Sequence, residues 1–370
     1  MNTFCYRNLT DFKFRLDTME YQLCCHTPSR PIEKSLFQST WVKTRLEDHT
    51  SNVRNSDCDY CWKLEDKNII SPRQFTTTPV VSVEITLDNL CNMSCLYCNP
   101  ASSSVWAEKL KDKNWIKGYD TEYNTLERQK IIFDWIENIT KDPIQIRISG
   151  GEPTLNPKLF TILDRIKKPG TTVIINTNLN TTDIMMNKLI EYINKMTNNN
   201  INFFIRCSLD GVGDQNDWQR DGSNWKKVEA NLKKYLETDA RIGIFTTITV
   251  LTLEALKPLC EWVLEESYQN NNKIRMHRGV IVEDNPNINI KSWLGLFAKE
   301  FESILKLAED KLIFDELFYK QVLSWSKLID NIPTTYEKNE LINWLDNQAI
   351  FHKKNDWRHI YPKIAKYCET

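Results

Sequence analysis

The chain has 370 residues, of which 41% are hydrophobic, and its formal net charge is −1. This length suits one large domain with attachments or two to three domains, and the apolar content is enough for a sizeable core. The near-zero charge argues against a nucleic-acid-binding protein, and the absence of any run of about 18 apolar residues argues against a membrane span.

Residues 1–79 are polar and rich in cysteine and have only short helix or strand signals, so a bound metal would supply stability that a larger core gives elsewhere. A regular alternation of strands and helices then covers residues 80–283, and helices alone follow in residues 284–370. Six strands separated by helices predict a parallel α/β sheet, curled or open. The predicted strands are 80–87, 143–149, 171–177, 201–209, 241–251 and 273–282. The predicted helices are 125–139, 156–168, 182–196, 224–237 and 253–268, then 290–310, 317–330 and 339–351.

The chain contains 11 cysteines, and eight of them lie before residue 99. Their odd number, with no apolar signal core in the first residues MNTFCYRNLT, argues against a disulfide framework and predicts a cytoplasmic protein. The clustering favours metal ligation. Cys207, Cys260 and Cys368 stand alone and are expected to be structural thiols.

The segment CNMSCLYC places Cys91, Cys95 and Cys98 on one loop directly after the first predicted strand. Parallel α/β folds hold their active sites at the carboxyl ends of their strands. Three thiolates can ligate three irons of a 4Fe–4S cluster and leave the fourth iron open to a small ligand. A zinc site would need a fourth ligand, and His26 and His49 are remote in sequence. A purely structural loop is the third alternative.

CNMSCLYC after a first strand resembles the signature of the radical SAM superfamily, and Tyr97 before the last cysteine fits that signature. The resemblance implies a partial (β/α)6 TIM-like barrel over residues 80–283, with the cluster on Cys91, Cys95 and Cys98. The open iron would bind S-adenosylmethionine, and its reductive cleavage would give a 5′-deoxyadenosyl radical that abstracts a substrate hydrogen. The cofactor carries this chemistry and the protein supplies position and shielding, here with Trp106 as a candidate shield.

Further motifs follow in the order that this resemblance implies. SGGEP ends the second strand, and its glycines would let the backbone approach S-adenosylmethionine while Glu152 binds its amino group; an ordinary turn is the alternative. Arg220, in WQRDG, would pair with the methionine carboxylate or form a surface salt bridge. His26 and His277 are candidate proton donors or structural residues, and RGVIV (278–282) resembles the segment at the adenine edge. The cofactor-binding residues implied are Tyr97, Gly150, Gly151, Glu152, Asn176, Asn178 (the two asparagines alternatively capping the next helix), Ser208 and Asp210 near the ribose, and Arg220.

The remaining early cysteines resemble the N-terminal cysteine-rich module of twitch-type, SPASM-related radical SAM proteins, although the tryptophan and glycine turn expected between the first ligands is missing. That module carries an auxiliary iron–sulfur cluster. A four-thiolate zinc site and a structural role are alternatives. The ligands implied are Cys5, Cys58 and Cys61, with Cys24 or else Cys25 as the fourth.

The sequence therefore predicts a radical SAM enzyme that modifies a peptide or an amino-acid side chain, with a nucleobase, nucleotide or sugar as the second substrate class. Barrel motifs identify the cofactor rather than the substrate. The expected partners are S-adenosylmethionine, a peptide or small-molecule substrate and an electron donor such as flavodoxin or ferredoxin, without membrane or nucleic acid. A zinc-bound binding or scaffold protein and an inactive family member are the rival interpretations.

Overall fold

Six parallel strands form the centre of the molecule in the order of the chain. The computed structural model describes residues 5, 11–24, 26–32, 39–66, 71, 73, 81–111, 130–134, 144–282, 285–309 and 314–369, with the side chains of 46, 49, 308 and 309 excepted. Its main sheet has the strand order 274–276, 241–245, 202–208, 172–177, 145–149, 82–86, 11–15, 20–22 and 30–31, and each neighbouring pair among the first seven is parallel. The predicted α/β fold with a mostly parallel sheet is confirmed.

The strands and helices have the following bounds. The strands are β1 (Asp11–Arg15), β2 (Glu20–Gln22), β3 (Arg30–Pro31), β4 (Ser82–Thr86), β5 (Gln145–Ser149), β6 (Thr172–Thr177), β7 (Asn202–Ser208), β8 (Arg241–Phe245), β9 (Thr247–Ile248), β10 (Ile274–Met276) and β11 (Val280–Ile281). The helices are α1 (Thr40–Thr50), α2 (Asp59–Glu65), α3 (Ser104–Leu110), α4 (Lys158–Leu163), α5 (Asp183–Thr197), α6 (Asp214–Gln219), α7 (Trp225–Leu236), α8 (Val250–Gln269), α9 (Ala298–Glu309), α10 (Glu316–Trp325), α11 (Thr335–His352), α12 (Trp357–Ile360) and α13 (Pro362–Glu369).

The two faces of the sheet differ in composition because side chains alternate along each strand. Ile148, Ile175 and Ile205 are register partners, and all three are completely buried in the core beneath the helices. The opposite face, here called the inner face, carries polar and half-buried residues. Glu84, Arg147, Asn176, Arg206, Ser208 and Phe245 belong to it.

The first 79 residues contribute to the sheet, although they were expected to be irregular. Strand β1 pairs in parallel with β4, with Phe14 opposite Ile85, and β2 and β3 continue the sheet as antiparallel strands. Phe12 and Phe14 are buried. The alternation of apolar residues in DFKFR therefore marks a strand that buries one face against the core.

Two predicted strands are interrupted. The predicted strand 241–251 becomes β8 and β9, and its last two residues open helix α8, because the Thr249 side chain accepts a hydrogen bond from the Thr252 amide as a helix cap. The predicted strand 273–282 becomes β10 and β11, and β11 pairs with β9 in a separate two-stranded sheet.

Helix boundaries also differ from the prediction. Helix α8 starts at Val250 and runs through Pro258, and α4 ends at Leu163 rather than continuing to residue 168. Helices α1, α2, α3, α6, α12 and α13 were not predicted. Of the predicted helix 125–139, residues 130–134 are helical and the rest lies outside the described residues. None of the helices in the described part of the chain is long and apolar enough to cross a membrane.

Candidate active site

The cysteine loop, residues 90–99, follows strand β4 and is held by main-chain hydrogen bonds to the segment after α6. The amide of Ser94 donates to the carbonyl of Asp221 at 2.8 Å, and the amide of Leu96 donates to the carbonyl of Gln219 at 3.0 Å. These bonds fix the loop from both sides of its middle cysteine. No motif in the sequence indicated this contact between distant segments.

The three thiols of the loop lie in an environment that disfavours a bare thiolate. Burial, and then the negative charge of Glu152, raises the pKa of Cys91 to about 12. Burial also raises the pKa of Cys95 to about 12, which Arg220 opposes in part, and burial raises the pKa of Cys98. Thiolates here need a positively charged partner, and the iron ions of a cluster fit that requirement.

The SGGEP turn after β5 packs directly on the start of the cysteine loop. A Cβ atom on Gly150 would lie 2.7 Å from the carbonyl oxygen of Asp88, and one on Gly151 would lie 2.3 Å from that of Leu90. The amide of Glu152 donates to the same Leu90 carbonyl at 2.6 Å. Both glycines are therefore required by the contact between the turn and the loop, whatever ligand the turn also approaches.

The carboxylate of Glu152 joins the SGGEP turn to the loop after β6. Glu152 is 1% exposed, and one of its oxygens accepts hydrogen bonds from the Thr154 amide (3.1 Å) and hydroxyl (2.6 Å). The other oxygen accepts from the amide of Asn178. Burial raises the pKa of Glu152, and the bonds from Thr154 and Asn178 oppose that rise. The residue sets the shape of two turns beside Cys91.

The two asparagines after β6 have different positions. The side-chain amide of Asn178 donates to Oδ1 of Asn92 at 2.9 Å and lies 4.0 Å from the sulfur of Cys91. Oδ1 of Asn176 is buried on the inner face and has no hydrogen-bond partner among the residues that the structure describes. Neither caps the next helix, because Thr182 does so. Asn178 therefore belongs to the cysteine loop and Asn176 to the inner face.

Asp210, after β7, is completely buried and forms three contacts. One oxygen accepts the Thr247 amide at 2.7 Å, and the other accepts the hydroxyl of Tyr97 and lies 2.7 Å from Nε of Arg220. Arg220 is 5% exposed, so the alternative of a surface salt bridge is wrong and the ion pair is buried. Ser208 ends β7 on the inner face and is half-buried. The structure thus brings Tyr97, Asp210 and Arg220 together.

A cluster around Asp221 was missed by the sequence analysis. The Asp221 carboxylate accepts the hydroxyl of Ser94 at 2.6 Å and pairs with Lys109 at 2.6 Å, His352 at 2.8 Å and Lys354 at 3.2 Å. Burial opposes the charge of Asp221, but the bonds from His352, Lys109 and Ser94 hold its pKa well below the ordinary range. The cluster ties the cysteine loop to the C-terminal helices.

Trp106 supports the cysteine loop from the side of helix α11. Its indole N–H donates to the carbonyl of Cys95 at 2.8 Å, and its ring stacks on Phe351 with centroids 5.7 Å apart. Trp106 is buried. The C-terminal helices therefore cover the residue that was predicted to shield the loop.

The segment RGVIV includes β11 and lies beyond β10. Before it, Nδ1 of His277 lies 2.5 Å from Oδ2 of Asp315, and its ring stacks on Phe245 with centroids 4.7 Å apart. His277 is thus held by a carboxylate and an aromatic ring, which fits its interpretation as a structural residue.

A ring contact joins two of the segments that carry the early cysteines. His26 stacks on Tyr60 with centroids 4.1 Å apart, which brings the turn of Cys24 to the helix that carries Cys58 and Cys61. Cys5, Cys24 and Cys61 are buried, and Cys25 lies outside the described residues. Burial, and the nearby Cys58, raise the pKa of Cys61.

In the described part of the chain, no three cysteine, histidine or acidic side chains are grouped as ligands of one metal ion. A 4Fe–4S cluster does not require its thiolates to converge on one ion, because each thiolate binds a separate iron. The loop with its three thiols, the close turns and the buried arginine fit a cluster with a small polar ligand.

Comparison with known proteins points to the same site. Residues 85–263 match the family model of the Radical SAM superfamily. A protein of Thermoplasma volcanium described as "Probable GTP 3′,8-cyclase" is 32% identical over 91 residues, which are 24% of this chain and 23% of that protein.

Solved structures are similar at low identity. "Native anSMEcpe with bound AdoMet" is 18% identical, with a TM-score of 0.41, and the match covers 62% of this chain and 59% of that one. Streptococcus suis SuiB bound to precursor peptide SuiA is 16% identical, with a TM-score of 0.43, over 80% of this chain and 58% of that one. The chain thus spans about a quarter of the cyclase and about three fifths of these structures.

The matched range includes the cysteine loop, the SGGEP turn, both asparagines, Asp210 and Arg220. Residues 85–263 of this chain thus match a domain of the radical SAM superfamily, whose cofactors are a 4Fe–4S cluster and S-adenosylmethionine.

Proposed function

We propose that this chain is a radical SAM enzyme that removes a hydrogen atom from a peptide or an amino-acid side chain. One observation carries the proposal. Four segments that follow β4, β5, β6 and β7 converge on the three cysteines at one edge of the sheet, through Glu152, Asn178 and Asp210. Such an edge is where parallel α/β folds hold their ligands.

Cys91, Cys95 and Cys98 would hold the cluster, which together with S-adenosylmethionine supplies one-electron chemistry for hydrogen abstraction. The SGGEP turn would bind the amino group of S-adenosylmethionine through its backbone, with the negative charge of Glu152 behind it. Arg220, held by Asp210, would face the methionine carboxylate, and Ser208 and Asn176 offer polar groups to the remainder of that ligand.

The C-terminal helices would cover the cysteine loop. Trp106 and Phe351 close one side, and the Asp221 cluster fixes helix α11 to the loop. Exclusion of water protects a reactive species from side reactions. This cover supports a site built for radical chemistry more than a binding surface.

The substrate class is proposed from the early cysteines. Cys5, Cys58, Cys61 and Cys24 or Cys25 would hold an auxiliary cluster in a twitch or SPASM-like module, which would accept an electron from the substrate or anchor it. The contact between His26 and Tyr60 supports one shared site. In the family that the sequence resembles, such modules accompany peptide modification. An electron donor such as flavodoxin or ferredoxin would reduce the barrel cluster, and a cytoplasmic location is proposed with it.

A nucleotide is the second candidate substrate, and the 91-residue similarity to the cyclase favours it. A zinc-bound scaffold is the rival of another class. The test is to incubate the anaerobically reconstituted chain with S-adenosylmethionine and a reductant and to measure 5′-deoxyadenosine. Formation of that product supports the enzyme, and its absence from iron-loaded protein contradicts it.

A further inference from the structure

Two arginines and an asparagine lie side by side on the inner face of the sheet, below the candidate active site. Arg147 is on β5, Asn176 on β6 and Arg206 on β7, and these three strands are neighbours. Arg147 is opposite Ile174, and Asn176 is opposite Arg206. Register partners in a parallel sheet share a face, so the three side chains extend to the same side.

The charges on this part of the inner face do not balance. Glu84 lies 3.5 Å from Nζ of Lys13 and 3.4 Å from a guanidinium nitrogen of Arg147, and it accepts the hydroxyl of Ser149 at 2.8 Å. Among the residues that the structure describes, Glu84 is the carboxylate within ion-pair distance of Lys13 and Arg147, and no carboxylate lies within that distance of Arg206. A net positive charge remains on this group.

The two guanidinium groups are also incompletely hydrogen-bonded. Nε of Arg147 and Nε of Arg206 are buried, and neither has a hydrogen-bond partner within the residues that the structure describes. Burial, and then the charge of Arg147, lowers the pKa of Arg206 to about 9. Buried donors and like charges at close range destabilise a protein unless an anion offsets them.

On strand β7, Arg206 lies between residues that line a cavity and the edge that holds the candidate active site, and Arg206 does not itself line that cavity. A cavity of about 1110 Å³ is lined on the inner face by Ile174, Phe204 and His277. Phe204, Arg206 and Ser208 follow one another on the same face of β7, at intervals of about 7 Å. The guanidinium of Arg206 lies 3.7 Å from the ring centroid of Phe245, which holds it flat. Arg206 thus stands between the cavity and the cysteine edge.

We propose that Arg206 and Arg147 bind a carboxylate of the substrate inside the barrel. The inference rests on the proposed function, because a peptide substrate supplies its anion as a carboxylate, from an acidic side chain or a C-terminus. A guanidinium group matches a carboxylate with two parallel hydrogen bonds, and the amide of Asn176, the register partner of Arg206 on the neighbouring strand, would add a third contact. The substrate would therefore be a peptide that presents an acidic side chain or its C-terminal carboxylate to these arginines, below the reacting position.

The test measures binding to the cluster-loaded chain with S-adenosylmethionine present. The probes are N-acetyl-glutamic acid methylamide and its neutral glutamine counterpart, and calorimetry gives each affinity. The wild-type chain should bind the glutamic acid probe about tenfold more tightly than the glutamine probe. Arg206→Gln and Arg147→Gln should abolish this preference. Arg165→Gln is the matched control, because Arg165 lies in the turn after helix α4, over the ring of Phe133, and it should keep the preference. Arg206→Lys should weaken the preference for the acid, since lysine keeps the positive charge but cannot form two parallel hydrogen bonds to a carboxylate.

Affinity for S-adenosylmethionine is measured on the same samples. It should be unchanged in Arg206→Gln, and loss of that affinity with no change in acid binding would assign Arg206 to the cofactor and overturn the inference. Equal or undetectable binding of both probes to the wild-type chain overturns it as well. Arg206-dependent binding of inorganic phosphate without preference for the acid also overturns it and favours a nucleotide. Failure of the wild-type chain to bind S-adenosylmethionine would instead refute the proposed function.

Discussion

The hydroxyl of Tyr97, inside the cysteine loop, donates a hydrogen bond to Asp210 at the carboxyl end of β7. Asp210 is also the ion-pair partner of the buried Arg220, so one carboxylate links the loop, the sheet edge and the arginine. Burial opposes the charge of Arg220, but the pairing with Asp210 raises its pKa above the ordinary value. Arg220 therefore stays charged beside the cysteines.

Asp210→Ala should destabilise the protein strongly, because it leaves Arg220 buried without its partner. Breaking one side of a buried ion pair costs about 3–5 kcal/mol, whereas Tyr97→Phe should cost about 1 kcal/mol because it removes one hydrogen bond. Urea unfolding of the two variants measures the difference. Similar small losses in both would mean that the Asp210–Arg220 pair is not buried as described.

Asp221→Asn should lower stability by about 2 kcal/mol at pH 7, since it removes the charge that two lysines, a histidine and Ser94 surround. The pKa of Asp221 is depressed in the folded state, so its stabilising contribution is full above the unfolded value of about 4 and is lost as the pH falls below it. The difference in free energy of unfolding between wild type and variant should therefore become smaller below about pH 4.

Chemical unfolding at a series of pH values tests this behaviour of Asp221. The exposed Asp330→Asn is the control for acid effects on the rest of the chain. A gap that stays constant with pH would show that the Asp221 cluster contributes through packing rather than charge.

Glu152→Gln should weaken S-adenosylmethionine binding about tenfold, because it removes the charge behind the amino-binding turn and leaves an amide N–H facing donors. Equilibrium binding to the iron-loaded chain measures the loss. Glu261→Gln, on the exposed side of helix α8, is the control and should bind normally. Wild-type affinity in Glu152→Gln would remove Glu152 from the cofactor site and leave it a role in the shape of the turn alone.

Cys61→Ala should reduce iron by about four atoms per chain and leave the barrel cluster in place, because Cys61 is a proposed auxiliary ligand. Iron analysis with electron paramagnetic resonance separates the two clusters. Cys260→Ala removes a fully buried thiol of helix α8 and should not change the iron content. If both variants contain the same iron as the wild type, the auxiliary role of Cys61 is wrong.

The strands of the sheet were predictable where the local residue pattern alone determines the element. The six strands β4, β5, β6, β7, β8 and β10 were predictable because each lies in a run rich in apolar and β-branched residues that ends before a segment with helical periodicity. The breaks at β8–β9 and β10–β11 were not predictable, because they depend on the helix cap at Thr249 and on pairing between distant segments. Strand β1 was missed because its alternation is short and surrounded by polar residues.

Some parts of the candidate site were likewise predictable from the sequence, and others were not. The cysteine spacing indicated the cysteine loop, and the resemblance to a family motif indicated SGGEP, whose glycines are required by close backbone contacts. The cluster around Asp221 could not be found, because its partners come from positions 94, 109, 352 and 354. Arg147 and Arg206 read as ordinary polar positions of strands, and only the register of three strands places them together.

The most direct test of the radical SAM assignment compares wild type with Cys95→Ala after anaerobic reconstitution, by iron and sulfide content per chain and by electron paramagnetic resonance with and without S-adenosylmethionine. The wild-type chain should contain about eight irons, with one signal that S-adenosylmethionine shifts, and the variant should lose that signal and form no 5′-deoxyadenosine. A wild-type chain that binds zinc and no iron, or a Cys95→Ala variant with full activity, would contradict the assignment of the cysteine loop as the catalytic centre.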